Sequence, residues 1–424
     1  MTIIIGINDS HDAAACIVKD GALVCAVSEE RIQRVKSIGG FPANAIDACL
    51  DIAGLGRGDV DHVAFGSNKM SPFNLHNAFA TLTVEDHIRI EEEYWQPVIY
   101  DGADVKLRDV LPDYKPAGIL SYPLDDIPFA HMRELDDSIS DRIHAMRREF
   151  AASFFGIEPA NVHFIDHHTA HAYYAFVANP LRGREKDFLI VTGDAGATMR
   201  GLPPFPGAYL GNKADAASIA ALAEHPLIRA DYDMIADGTP DDVAHYLAAG
   251  EICAVFCDAM EFGPRALGHR SLLADASRPD SKERINNAIK KRDFWMPFAP
   301  AVLAERFDDY AINPKKGTAT YMTMTFETTE LARKHLAAAL HPVDLSGRVQ
   351  SVEKERSPIL HAILKAFEAR TGIGGVLNTS LNIHGKPIVM EPVQIATEIL
   401  SADGIELNVL FIEGTLFVKK GTQP

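Results

Sequence analysis

Positive charge is what this chain is short of. Its 41 Lys and Arg face 58 Asp and Glu, a formal net charge of −17. So acidic a surface repels polyanions, which argues against broad nucleic-acid binding and against attachment to anionic membranes. It leaves room for a local basic pocket. Long apolar runs are missing too: no stretch approaches the ~18 residues of a membrane span. Cysteine is sparse and odd in number. Cys16, Cys25, Cys49, Cys253 and Cys257 form no CxxC pair. This excludes a disulfide scaffold and reads as reduced, mostly buried thiols in a cytoplasmic protein. Cys253 and Cys257 have a spacing open to metal, but they border the apolar run 252–256. The start, Met1-Thr2-Ile3-Ile4-Ile5-Gly6, has no basic region and meets Asp9 at once. It reads as a buried strand, not a signal peptide.

What the chain does have is core material: 424 residues, 47% of them hydrophobic, enough for two domains. Residues 2–8 read as a strand, 9–12 as a polar turn and 13–18 as a second strand. Asp20-Gly21 is a type I′ hairpin signal, and 22–28 follows as a third strand. A helix over 42–53 and a strand over 60–66 complete a βββαβ order. Helical spacing recurs at 138–155, a strand at 161–165, a helix at 167–178 and a strand at 188–192. The Pro/Gly-rich stretch 201–215 places a domain boundary, giving 1–205 and 206–424. Beyond it, helices near 214–224 and 239–249 alternate with strands near 252–257, 299–303, 321–326 and 374–377. The fold class is therefore α/β in two domains.

The most informative segment is Glu261-Phe262-Gly263-Pro264-Arg265-Ala266-Leu267-Gly268-His269-Arg270-Ser271. Gly and Pro shape its backbone and permit close approach. Arg265 and Arg270 bring forked, permanently charged donors suited to phosphate or carboxylate. Similar anion-seeking groups recur as Lys290, Lys291 and Arg292, as Arg348, and as Asn378-Thr379-Ser380-Leu381-Asn382. Such a series, separated by apolar runs, reads as one binding site assembled from several loops.

Three further constellations lie earlier. Asp9-Ser10-His11-Asp12 places a histidine beside carboxylates, a pattern open to general-base work or to a self-capped turn. His167 and His171 lie i, i+4, which on a helix brings two imidazoles to one metal; Asp166 as N-cap of a His-rich helix start fits the same residues. Gly193-Asp194-Ala195-Gly196 suits a phosphate or metal loop, and equally an ordinary strand-to-loop turn.

Taken together these residues resemble the O-carbamoyltransferases of the NodU/CmcH type. The likeness rests on Ile5-Gly6-Ile7-Asn8-Asp9-Ser10-His11-Asp12-Ala13-Ala14, on Ser28-Glu29-Glu30-Arg31 and on Arg34-Val35-Lys36. It continues in the HHxxHA pattern at 167–172, the 261–271 segment, 286–300, Gly347-Arg348-Val349-Gln350 and 378–382. The resemblance implies a ribonuclease-H-like N-terminal domain of the actin/hexokinase superfold and a YrdC-like C-terminal domain. It implies that carbamoyl phosphate and ATP yield carbamoyl adenylate, whose carbamoyl group passes to a hydroxyl of a small metabolite or natural product. By position, His11 would be the base, and Asp9 and Lys36 would contact the adenylate or its phosphate. His167 and His171, with Asp194 as the candidate third ligand, would hold Fe, Zn or Mn, and Mg would suit ATP. Arg265, Arg270, Lys290, Arg292, Arg348, Asn378, Ser380 and Asn382 would grip the activated intermediate. A homodimer is compatible with this reading, and so is a reduced relative that forms or hydrolyses the adenylate without its own acceptor site, or a non-catalytic nucleotide-binding protein. The chain departs from the family pattern twice. The second half of the N-terminal module is largely missing, with its adenosine loop. Met296 stands where the family usually has arginine.

Overall fold

The computed structural model describes residues 1–68, 70–76, 81–114, 122–124, 127–166, 170, 190–191, 196–197, 207–290, 296–314, 317 and 319–422. The chain divides into two compact units, Met1–Pro206 and Gly207–Pro424.

In the first unit, β1 (Ile3–Asn8), β2 (Ala14–Lys19) and β3 (Ala22–Ser28) form an antiparallel meander. Asp20 and Gly21 both take positive φ, +49° and +83°, as a type I′ turn requires. The helices α1 (Glu29–Gln33) and α2 (Ala43–Ala53) follow. Pro42 at the start of α2 offers no capping side chain. Instead the buried Glu29 carboxylate accepts from the Ala45 amide at 2.7 Å and from Asn44 Nδ2 at 2.6 Å. This places negative charge where the helix dipole favours it. Ala45, Ile46, Cys49 and Leu50 form the buried face of α2. β4 (His62–Phe65) joins β1 in parallel and β5 (Val162–Phe164) joins β4 in parallel, for a sheet order β3-β2-β1-β4-β5. The 19-residue helix α3 (Asp137–Phe155) precedes β5. Asp136 caps its start and Gly156, at φ +70°, ends it.

The second unit is built on one mixed sheet of eight strands. These are β6 (Tyr232–Ile235), β7 (Cys253–Phe256), β8 (Arg270–Ala274), β9 (Ala299–Leu303), β10 (Gln350–Val352), β11 (Gly375–Ser380), β12 (Val409–Ile412) and β13 (Thr415–Lys419). Their order is β10-β9-β11-β8-β7-β12-β13-β6. β7, β9 and β12 are buried on both faces, which is why they read as continuous apolar runs. Ala254, Phe256, Val302 and Leu377 point to one core; Val255, Ala301, Leu303 and Val376 point to the other. The second core is closed by α4 (Pro240–Ala248) and α6 (Pro358–Thr371) through Val243, Leu247, Ile363 and Phe367. α5 (Asp280–Ile285) runs on into a wider, π-type turn, Asn286–Lys290.

Residues 321–326 correct the sequence expectation. They form no strand; only Phe326 bridges, to Gly347. Met322 adopts φ +54°, which breaks extended geometry. The expected helix 167–178 and strand 188–192 fall mostly outside the described residues. Within them Ile190–Val191 pairs with Gly196–Ala197.

Candidate functional site

The first polar turn, between β1 and β2, is held from many sides. Asn8 Nδ2 donates to the carbonyls of His11 and Asp12, and Asn74 Nδ2 donates to Ser10 Oγ at 3.0 Å. Asp9 is 1% exposed and clasped by Arg147 of α3: Nε to Oδ2 at 2.7 Å, Nη2 to Oδ1 at 2.8 Å. Tyr122 Oη also donates to Asp9 Oδ2, at 2.7 Å. Arg147 goes on to the carbonyls of Ser67 and Asn68 and lies over the rings of Phe65 and Phe164. Burial disfavours the Arg147 charge, but Asp9 and Tyr122 outweigh it and raise its pKa. Burial, then the Asp9 charge, holds the Tyr122 phenol well above its ordinary value. Asp9 thus has its oxygens committed inside the protein. Neither Arg147 nor Tyr122 carries a motif in the sequence, and Asp9 is 138 positions from Arg147.

His11 sits outside this clasp. Its Nδ1 is 2.9 Å from Asp12 Oδ2, with both side chains more than half exposed. That is the partner carboxylate the sequence anticipates for a base. Lys36 is exposed. Beside Asn68, a cleft of about 570 Å³ opens between α3 and β5, lined by Ser140, Asp141, His144, Arg148 and His163 among others.

The 261–271 loop of the second unit folds around its own glutamate. Glu261 Oε1 accepts from the amides of Leu267, His269 and Arg270, at 2.7, 3.1 and 3.1 Å. Gly268 holds φ +110°, and a Cβ there would come within 2.4 Å of Leu360. The two arginines of the loop part company. Arg270, fully buried, spends Nη1 and Nη2 on the carbonyls of Cys257, Asp258, His269 and Asn212, and its guanidinium lies 3.6 Å over Phe256. Its donors point into the protein, so it builds the loop rather than reaching a ligand. Burial lowers its pKa, and Glu261 opposes that. Arg265 lies on the exposed crest. Partial burial and then the nearby Arg348 charge lower its pKa. Two guanidiniums that feel each other, neither with a protein acceptor among the described residues, make a place for an anion.

Next to them the strand ends converge. Gln350 Nε2 donates to the Leu267 carbonyl at 2.9 Å, and Asn378 Nδ2 donates to Gln350 Oε1 at 2.9 Å and to the Ala266 carbonyl at 3.3 Å. Two residues on, Ser380 and Asn382 meet Lys290 from the π-type turn. The buried Lys290 ammonium reaches Ser380 Oγ at 3.1 Å, Asn382 Oδ1 at 2.6 Å, the Asn382 carbonyl at 2.9 Å and the Ser380 carbonyl. Register explains the convergence: Ser380 lies opposite Ser271, and Asn378 lies between Leu273 and Ala299. Arg265, Arg348, Asn378, Ser380, Asn382 and Lys290 therefore belong to one region of the sheet. Gln350 links them, and its signal was its place directly after Gly347-Arg348-Val349.

Burial lowers the pKa of His269, whose Nδ1 meets the Ala259 carbonyl at 2.7 Å and whose ring stacks on Tyr209. Cys253 of β7 and Cys257 just after it lie in one buried core, and burial raises both thiols, as suits core residues. His167, His171, Asp194 and Arg292 lie outside the described residues. Among those described, no cluster of three or more His, Cys, Asp or Glu could hold a metal ion. No helix among them is long and apolar enough to cross a membrane.

Comparison with known proteins decides the lineage. Residues 3–209 match the carbamoyltransferase N-terminus model and residues 244–419 the carbamoyltransferase C-terminus model. The chain belongs to the carbamoyltransferase family. It is similar to Uncharacterized protein MJ1058 of Methanocaldococcus jannaschii, at 36% identity over 45% of this chain and 30% of that protein. Nodulation protein NolNO of Sinorhizobium fredii is 35% identical over 44% of this chain and 27% of its own length. The 3'-hydroxymethylcephem-O-carbamoyltransferase of Amycolatopsis lactamdurans is 35% identical over 35% of this chain and 28% of its own. The matched stretch thus spans less than a third of each of these relatives.

Proposed function

We propose that this carbamoyltransferase-family chain transfers a carbamoyl group from carbamoyl phosphate to a hydroxyl of a small molecule, using ATP and passing through carbamoyl adenylate. The observation that carries the reading is the corner of the second unit where Arg265 and Arg348 stand, among the described residues, without protein acceptors, in the same region as Asn378, Ser380 and Lys290. Cations unpaired at a sheet edge suit a phosphoanhydride, whose charge they neutralise.

In this reading the atoms balance over three steps. Water cleaves carbamoyl phosphate to carbamate and phosphate. A carbamate oxygen attacks the α-phosphorus of ATP, the α–β bond breaks, and pyrophosphate leaves. The acceptor oxygen then attacks the carbamoyl carbon and AMP departs. In this scheme Arg265 and Arg348 hold phosphate oxygens, and Lys290 positions Ser380 and Asn382. His11, with Asp12 on its Nδ1, takes the acceptor's proton. Asp9, neutralised by Arg147, holds the turn that carries His11. The acceptor's seat is the cleft between α3 and β5. The β3-β2-β1-β4-β5 order supports a ribonuclease-H-like first domain, and the mixed sheet after residue 206 is assigned as the YrdC-like one. A metal held by His167, His171 and Asp194 would add a Lewis acid; no step above depends on it.

The test is pyrophosphate release. It is expected only when ATP and carbamoyl phosphate are both present, and to fall at least about 100-fold in Arg265→Ala. His11→Ala should still release pyrophosphate but no longer carbamoylate an acceptor. Equal release by wild type and Arg265→Ala would remove the C-terminal assignment.

A further inference from the structure

Among the described residues, Asn378 and Glu261 of the arginine corner each keep one buried side-chain oxygen without a partner, and on the strand end it is Asn378. Gln350 Nε2 donates to the Leu267 carbonyl, which can only accept, so the Gln350 amide has one orientation. Its Oε1 then faces Asn378, whose Nδ2 must be the donor; the same Nδ2 also reaches the Ala266 carbonyl. Asn378 Oδ1 is left over. The residue is 2% exposed, and this oxygen is buried with no hydrogen-bond partner among the described residues. Buried acceptors without partners are rare enough to require a reason. Its neighbours on the strand end do not share the condition: Asn382 Oδ1 takes Lys290 and Ser380, and Ser380 Oγ takes Lys290.

The position narrows the missing donor. Asn378 is hydrogen-bonded to the residue next to Arg265, and Arg265 feels the charge of Arg348. A phosphate held by that pair would leave the group bonded to it near Asn378, which pairs with Ala299 of β9. In a carbamoyl phosphoanhydride that group bears an amino function, two N–H donors on a planar carbon. In the corresponding acetyl compound a methyl stands in the same place and donates nothing.

We infer that Asn378 Oδ1 accepts a hydrogen bond from the carbamoyl amino group and makes the site selective for carbamoyl over acetyl donors. This rests on the adenylate-forming reading above. Asn378 is thereby a specificity residue, and Gln350 is a positioning residue that keeps its oxygen, not its nitrogen, turned toward the donor. A site whose buried acceptor is left empty by the wrong substrate discriminates far more strongly than one that only measures size.

The experiment measures kcat/KM for ATP-dependent pyrophosphate release with carbamoyl phosphate and with acetyl phosphate, in wild type, Asn378→Ala and Gln350→Ala. Asn378→Ala is expected to lose on the order of 100-fold with carbamoyl phosphate and little with acetyl phosphate, so that the ratio collapses. Gln350→Ala frees the Asn378 amide to rotate and should lower the ratio in the same direction by less. It carries the test alone if circular dichroism shows Asn378→Ala unfolded. Equal losses on both donors would mean a structural amide, and a rise confined to KM for ATP would mean an adenine contact; either overturns the inference. Wild type that releases no pyrophosphate with carbamoyl phosphate would instead remove the reading underneath, and the inference with it.

Discussion

Arg147 in the first unit and Arg265 in the second are both arginines serving a polar loop, yet their surroundings are opposite. Arg147 is fully buried, meets Asp9 with two nitrogens, and also reaches two carbonyls. Arg265 stands at the surface with a second arginine for company. A cation whose donors are all spent inside the protein holds a loop in place. A cation facing its own kind is the one that an arriving anion would stabilise. Arg270 shows that sequence neighbours can fall on opposite sides of this divide, five positions from Arg265 and fully buried.

The largest effect should come from breaking the first arrangement. Arg147→Met leaves the Asp9 carboxylate buried beside Tyr122 without its counter-charge. The cost is expected to be about 3–5 kcal/mol, read as a lower urea midpoint. Unchanged stability would mean that the clasp is dispensable.

Arg265→Ala combined with Arg348→Ala tests the other side of the contrast. Pyrophosphate release should be lost while the urea midpoint stays within about 0.5 kcal/mol of wild type, because two unpaired surface arginines contribute little to folding. A strongly destabilised double variant would place these residues with Arg147.

Much of the scaffold could be read before its structure. The alternation of Ile3, Ile5 and Ile7, the Asp20-Gly21 turn, the α2 and α3 spans and the apolar β7 run each carry a local signal that tertiary packing did not override. The clasp could not, because nothing local separates Arg147 from Arg142 or Arg148 on the same helix. β8 was hidden for a related reason: it opens with Arg270, a residue that reads as surface, and its burial depends on the carbonyls of residues 212, 257 and 258, which accept from its guanidinium. The 321–326 alternation misled because period-two spacing says nothing of the positive φ at Met322. In the candidate site, residue types were legible but their division of labour was not. Lys290 and Ser380 lie 90 positions apart, and only the β8–β11 register brings them together.

The smallest effect concerns pH. Burial depresses the pKa of His269, so the unfolded chain binds its proton more readily than the folded one. The stability this neutral ring contributes is complete above about pH 6.5 and is lost as pH falls through the folded value. Urea melts at pH 7 and pH 5.5 should show the loss. His269→Asn should flatten the slope by no more than about 1.4 kcal/mol per pH unit. A steeper slope in the variant would reverse the assignment.

The most direct measurement is phosphorus NMR of the protein turning over ATP and carbamoyl phosphate. If Arg265, Arg348 and their neighbours hold an activated carbamoyl group, phosphate above the protein-free background and pyrophosphate must appear together in equal amounts, and both must fall to background in the Arg265→Ala, Arg348→Ala protein. Phosphate above the protein-free decay of carbamoyl phosphate without matching pyrophosphate, or both persisting above that background in the double variant, would contradict the account.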